Sequence, residues 1–259
     1  MSETVSMERD GHILWIGLNR PAKRNAFDRA MLGELAEAYG VLENDPDIRC
    51  GVLYAHGDHF TAGLDLSDVA GDLATNSLTI PAGSRDPWRL DGPWTTPLVA
   101  LAHGWVMTLG IELLLAADIR IAAANSRFTQ YEVRRGIFPF GGATSRFPQQ
   151  AGWGNAMRWM LTGAEFGADE ALRIGLVQDL ATDFAAGRDL AGSIAYEIAN
   201  KAAPLGVRAT LEAAYAATSQ SLPDPGALRA TIAALLATSD AAEGLRSFIE
   251  RRDADFAGR

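Results

Sequence analysis

The sequence predicts an α/β fold with parallel strand pairing. Three observations carry this expectation. Short apolar, β-prone runs alternate with stretches whose apolar residues recur at helical spacing. The strand–helix–strand order repeats along the first half of the chain, which is the pattern of layered parallel sheets. From about Gly142 onward the chain reads as mostly helical.

Residues 4–19 read as a hairpin, with Asp10-Gly11 as the tight turn and Ile13–Leu18 as the β-prone second strand. Pro21 closes that strand. Asp28 is placed to cap the next helix, along which Met31, Leu32, Leu35, Ala36, Tyr39 and Leu42 form one apolar face. Asn44-Asp45-Pro46-Asp47 ends that helix by turn chemistry. Cys50–Tyr54 is a short buried strand. The order then repeats as strand Leu98–Leu101, helix Gly110–Ala117 and strand Ile119–Ala122, with Phe128–Gln130 a further short strand. In Arg173-Ile174-Gly175-Leu176-Val177, glycine stands at a helix end before another strand.

Two stretches break the alternation. Residues 71–96 are rich in Gly, Pro, Ser, Thr and Asp, and read as a surface loop or a partly helical lid. Trp88 and Trp94 within them favour a lid that packs on an apolar surface. Beyond Pro204, Leu205–Phe256 reads as three Ala- and Leu-rich helices. Terminal helices of that kind pack on a neighbour, here another subunit. The chain therefore divides into a core with the active site, residues 1–200, and a helical oligomerisation region, residues 201–259.

Composition excludes several classes. At 259 residues with 48% hydrophobic residues, the chain can bury a sizeable core. A net charge of −9 argues against a general binder of nucleic acid or membrane surfaces, which carries a basic face. Cys50 is the single cysteine, so neither an internal disulfide nor a Cys-based zinc site is available. The first residues lack the basic and apolar segments of a secretory signal, and the apolar runs are too short to span a bilayer. These features lead us to expect a cytoplasmic protein. His12, His56, His59 and His103 show no metal-ligand spacing, and no metal is expected.

Three ordered segments carry the chemistry: Phe60-Thr61-Ala62-Gly63-Leu64-Asp65, His103–Glu112, and Phe128-Thr129-Gln130-Tyr131-Glu132. Gly63 permits a sharp turn that frees the Leu64 N–H, although an ordinary turn is the commoner meaning of such a tetrapeptide. Leu109 stands where an apolar strand gives way to an apolar helix, and the first helical N–H groups have no intrahelical acceptor. Two free N–H groups can hold a developing oxyanion. Glu112, in the first turn of that helix, is a carboxylate within Ile111, Leu113, Leu114 and Leu115, and such a residue needs a reason. Glu132 taken alone is more often a surface residue. Gly141-Gly142 suits close backbone packing or support of a ligand.

With these residues in hand, the chain resembles the crotonase superfamily, the enoyl-CoA hydratase/isomerase family, from about Met7 to Phe256. Leu18–Phe27 is similar to its N-terminal signature, Phe60–Asp65 to its first oxyanion-hole motif and His103–Glu112 to its second. The resemblance implies a spiral of repeated ββα units with C-terminal helices that build trimers or dimers of trimers. It implies oxyanion donors at Leu64 and Leu109, with Glu112 and Glu132 as the catalytic pair of hydratase members. It places CoA beside Lys23, Arg24, Ala26, Ala62, Asp65 and Leu66, with Arg251 approaching from a neighbouring subunit. Trp88, Met107 and Phe140 are expected around the acyl group, with Trp94 near them. The implied activity is hydration of a 2-enoyl-CoA thioester with no cofactor beyond the CoA of the substrate. Isomerase, thioesterase or β-diketone hydrolase chemistry on the same fold, or non-catalytic acyl-CoA binding, are the alternatives. The chain departs from the family pattern in Thr108-Leu109 where glycines are usual, in Leu66-Ser67 where a basic residue is common, and in His103 for a frequent Asn.

Overall fold

The computed structural model describes residues 4–75, 81–92, 94–135, 137–218, 234, 237–252 and 254–259. Strands β1 (Val5–Asp10) and β2 (Ile13–Leu18) form the expected hairpin, in which Asp10 pairs with Ile13 and Gly11 turns at φ 56°. Helix α1 (Arg29–Asn44) starts at the Asp28 cap, whose carboxylate accepts the Met31 N–H at 2.9 Å. It buries Met31, Leu35, Ala36, Tyr39 and Leu42 of the face read from the sequence, with Leu32 half-buried at its edge.

The remaining strands are β3 (Cys50–Ala55), β4 (Leu98–Ala102), β5 (Trp105–Met107), β6 (Ile119–Ala123), β7 (Arg127–Thr129), β8 (Phe166–Gly167) and β9 (Asp179–Ala181). A large sheet runs β1-β2-β3-β4-β6-β9, antiparallel only at its first pair; a small one runs β5-β7-β8. Its inner strands β2, β3, β4 and β6 are buried on both faces, which is why they read as apolar runs, whereas the edge strand β1 is largely exposed. Ile16, Leu18, Leu53 and Ala100 face one core, and Trp15, Val52, Tyr54 and Leu101 face the other. Helix α7 (Phe184–Tyr196) closes the second core with Ala191 and Ala195.

Between these layers the chain winds as a spiral. From β4 it enters the small sheet as β5 and returns through helix α3 (Leu109–Ala116). From β6 it enters as β7 and leaves through a 3-10 turn, Tyr131–Arg135. Bridges Phe27↔Leu64 and Thr61↔Val106 extend the same ladder toward the N-terminus. Successive passes of the chain therefore lie side by side, which is the ββα spiral that the resemblance implies.

Helices α2 (Leu66–Thr75), α4 (Ala143–Ala151), α5 (Trp153–Thr162) and α6 (Ala168–Arg173) complete the body. After α6 the strand begins at Asp179, later than expected. Leu176 and Val177 are core residues in the connection, and the Arg120 side chain donates to the Leu176 carbonyl. Of the stretch 71–96, residues 76–80 and 93 lie outside the described residues. Its tryptophans are core: Trp88 meets Phe27 edge-on, and Trp94 meets Tyr39 with ring centroids 4.7 Å apart. Helices α8 (Pro204–Thr218) and α9 (Ser239–Glu250) are two of the three expected after Pro204; the middle one falls outside the described residues.

Candidate active site

The spiral brings the three sequence motifs to one cavity of about 190 Å³, walled by Ala62, Leu64, Met107, Leu109, Glu132 and Phe140 among others. Its geometry follows from how the ladder uses its hydrogen bonds. Gly63 accepts from Phe27 N–H at 2.8 Å, and Asp65 N–H donates to Phe27 at 2.9 Å. The Thr61 hydroxyl accepts from Gly63 N–H at 3.0 Å and donates to the Asn25 carbonyl at 2.6 Å. Both neighbours of Leu64 are thus tied inward, and Gly63 makes the turn at φ 84°. Leu64 N–H is left without an acceptor among the described residues.

Leu109 N–H reaches the same condition by a different route. Thr108 N–H donates to Thr129 at 2.9 Å, and Thr108 carries the chain from β5 into α3 at φ 52°, ψ −118°. A β-branched residue is strained in that region, at a cost of about 1–3 kcal/mol. As the first residue of α3, Leu109 has no intrahelical acceptor, and its N–H is unbonded among the described residues. The two amides open on one cavity, the arrangement that stabilises an oxyanion.

The carboxyls differ in their surroundings. Glu112 is fully buried, and its Oε1 accepts from Gly141 N–H at 2.8 Å and Ala143 N–H at 2.9 Å. Burial raises its pKa, and those two amides pull it back. A Cβ on Gly141 would lie 2.9 Å from Glu112 Oε2 and 2.7 Å from a Leu109 methyl, so only glycine lets the backbone reach the carboxylate. Glu132 is buried in the 3-10 turn, and neither of its carboxyl oxygens has a partner among the described residues. Burial, then the nearby Glu112 charge, push its pKa up to about 7. Glu112 Oε2 is also unpartnered. Burial raises the pKa of both carboxyls, which brings each closer than a free glutamate to exchanging a proton near neutrality.

Met107 and Phe140 line the cavity, whereas Trp88 stands behind it and donates its indole N–H to the Leu109 carbonyl at 3.0 Å. Trp94 is remote from it, under α1. Ala62 and Leu66 also line the cavity, and Ala62 N–H donates to Arg24, so the Arg24–Phe27 segment runs beside it. Lys23 and Arg24 are exposed there. Asp65 is engaged by Arg20 at 2.9 Å, which also pairs with Asp28, and the Ser67 hydroxyl and Arg20 hold its pKa below the usual range. Arg251 lines no part of this cavity. Sequence reasoning missed Tyr131, Arg135 and Ile137, which also line it; the 3-10 turn Tyr131–Arg135 is too short to show a period in the sequence. Among the described residues no cluster of His, Cys, Asp and Glu could hold a metal ion. His103 is buried and bonds the Gly57 carbonyl at 2.8 Å. A larger cavity of about 850 Å³ lies against α8, lined by the paired Arg89 and Asp118, and holds neither glutamate.

Two unbonded amides with two buried carboxyls beside them define a site for stabilising an enolate and moving protons. The chain belongs to the enoyl-CoA hydratase/isomerase family, whose model matches residues 8–259. It is 32% identical over 262 residues to an enoyl-CoA hydratase of Mycobacterium tuberculosis, covering 98% of this chain and 96% of that protein. It is 32% identical over 264 residues, the full length of both, to the 2,3-dehydroadipyl-CoA hydratase of Escherichia coli. A crystal structure of a probable enoyl-CoA hydratase/isomerase from Mycobacterium abscessus superposes with a TM-score of 0.95 at 52% identity over 99% of each chain.

Proposed function

We propose that the protein is an enoyl-CoA hydratase that adds water across the 2,3 double bond of a 2-enoyl-CoA thioester. The observation that carries this is the meeting of two unbonded amides with three partnerless carboxyl oxygens. The thioester carbonyl accepts from Leu64 and Leu109 N–H. Ionised Glu112 takes a proton from water, and the hydroxyl bonds to C3. The C=C electron pair moves through C2 to the thioester oxygen, where the two amides hold the enolate. As the carbonyl re-forms, C2 takes the proton of Glu132. Transfer of a proton from Glu112 to Glu132 restores the starting state. The steps are proton transfers, addition of the hydroxyl to C3 and stabilisation of the enolate, so in this reading these residues suffice without a cofactor.

In this reading Lys23, Arg24, Ala26, Ala62, Asp65 and Leu66 border the CoA. The exposed cations supply local positive charge within an acidic protein. Arg251 reaches CoA from a neighbouring subunit. No residue of α8 with a described side chain is fully buried, which supports residues 201–259 as an assembly region for a homotrimer or dimer of trimers. No described helix is long and apolar enough to cross a membrane. The free, buried Cys50 suits a reducing compartment, and we place the protein in the cytoplasm.

The test is loss of the conjugated thioester absorbance when the protein meets crotonyl-CoA. Glu132→Gln should slow it by at least ~100-fold, the scale of acid–base contributions. A near-wild-type rate in that variant would remove Glu132 from the mechanism.

A further inference from the structure

The cavity that holds the hydration chemistry has apolar walls with two ionic side chains, Glu132 and Arg135. Glu132 has its task in the reaction proposed above. Arg135 has none there, and no acidic side chain pairs with it among the described residues. Its guanidinium lies over the Tyr131 ring, 5.1 Å from the guanidinium carbon to the ring centroid. The Tyr131 side chain lines the same cavity.

Local geometry aims this charge. Glu132 and Arg135 lie three residues apart on one 3-10 turn. Such a turn has three residues per revolution, so both side chains leave the same face, displaced by about 6 Å along the axis. An acyl chain that leaves C2 along that face reaches the guanidinium. Arg135 is exposed at the rim, where solvation lets a guanidinium stand unpaired until an anion arrives. Ile137 and Phe140 beside it supply apolar walls for the methylenes between.

We infer that Arg135 is the specificity determinant of the acyl subsite, and that the preferred substrates are acyl-CoA thioesters whose acyl group ends in a carboxylate. The inference rests on the acyl-CoA reading above. A CoA phosphate offers similar anionic chemistry to the same guanidinium, and the experiment separates the two sources.

Two saturated thioesters of equal length, hexanoyl-CoA and adipyl-CoA, are titrated calorimetrically into the full-length protein and its Arg135→Gln and Arg135→Lys variants. The wild type should bind adipyl-CoA at least about tenfold more tightly, the scale of one charge-assisted hydrogen bond. Arg135→Gln should abolish that preference, and Arg135→Lys should restore part of it. Equal affinities in the wild type overturn the inference. So does an equal loss for both ligands in Arg135→Gln, which assigns Arg135 to the CoA phosphates. Neither ligand has a double bond, so these affinities are independent of hydration. An intact preference alongside failure to hydrate both 2-enoyl analogues would uphold the subsite and remove only the hydratase reading.

Discussion

Glu132 and Gly63 show how single residues set the chemistry. A carboxyl with its pKa pushed up to about 7 keeps its proton in the folded state over a range where the unfolded chain has lost it. The folded state thus binds more protons between the unfolded value, about 4.3, and about 7. The group's contribution to stability falls as pH rises through that window and is constant above it. Glu132→Gln removes this loss. The variant should melt at a higher temperature than wild type at pH 8, and the gap should close at pH 5, as measured by thermal denaturation. With Glu132 as the proposed proton donor, activity should fall as pH rises through about 7, where that carboxyl ionises, and kcat/KM against pH checks this. At Gly63 a Cβ would lie 2.0 Å from Thr108 Oγ1, at a φ of 84° that side chains resist. Gly63→Ala should displace the Leu64 amide and lower kcat by about 100-fold, the effect of losing one oxyanion donor.

The elements explain why two loops from different passes of the spiral share a cavity. Thr61 is the hinge of that arrangement: its buried hydroxyl ties Asn25 to Gly63, and its backbone bonds Trp105 and Met107 in β5. Thr61→Val keeps the shape and removes both side-chain bonds. It should destabilise the fold by about 1–3 kcal/mol in chemical denaturation and lower kcat more than it raises KM. At this scale the sequence was most informative. The Asp10-Gly11 turn, the Asp28 cap and the α1 stripe are local signals, and the structure has them at the expected places. The Leu64 and Leu109 turns were legible because glycine and a strand-to-helix junction both leave amides unpaired. The Arg135 position was not legible, because a five-residue 3-10 turn is too short to show a period. Trp88 and Trp94 misled for another reason: the composition around them is that of a surface loop, while their own area is in the core. A window average cannot separate the two.

At the scale of the whole molecule, the layers are tied by a buried ionic cluster. The Arg89 guanidinium pairs with Asp118 at 2.8 Å, and Asp118 accepts from Leu98 N–H at the start of β4 and from the Tyr215 hydroxyl on α8. It links the segment before β4, the large sheet and α8. Asp118→Asn would leave Arg89 buried and without its countercharge, and should cost about 3–5 kcal/mol, read by urea denaturation. The sequence could not show this cluster, since its members are far apart in the chain and each looks like an ordinary surface residue. Hydration on this fold delivers water to C3 and a proton to C2 of an enoyl thioester. Crotonyl-CoA turned over in deuterated water, with the product read by mass spectrometry and NMR, tests it most directly. The product should be 3-hydroxybutyryl-CoA with one deuterium at C2, formed by wild type and suppressed in Glu132→Gln. Free CoA, a shifted double bond or unlabelled product would contradict it.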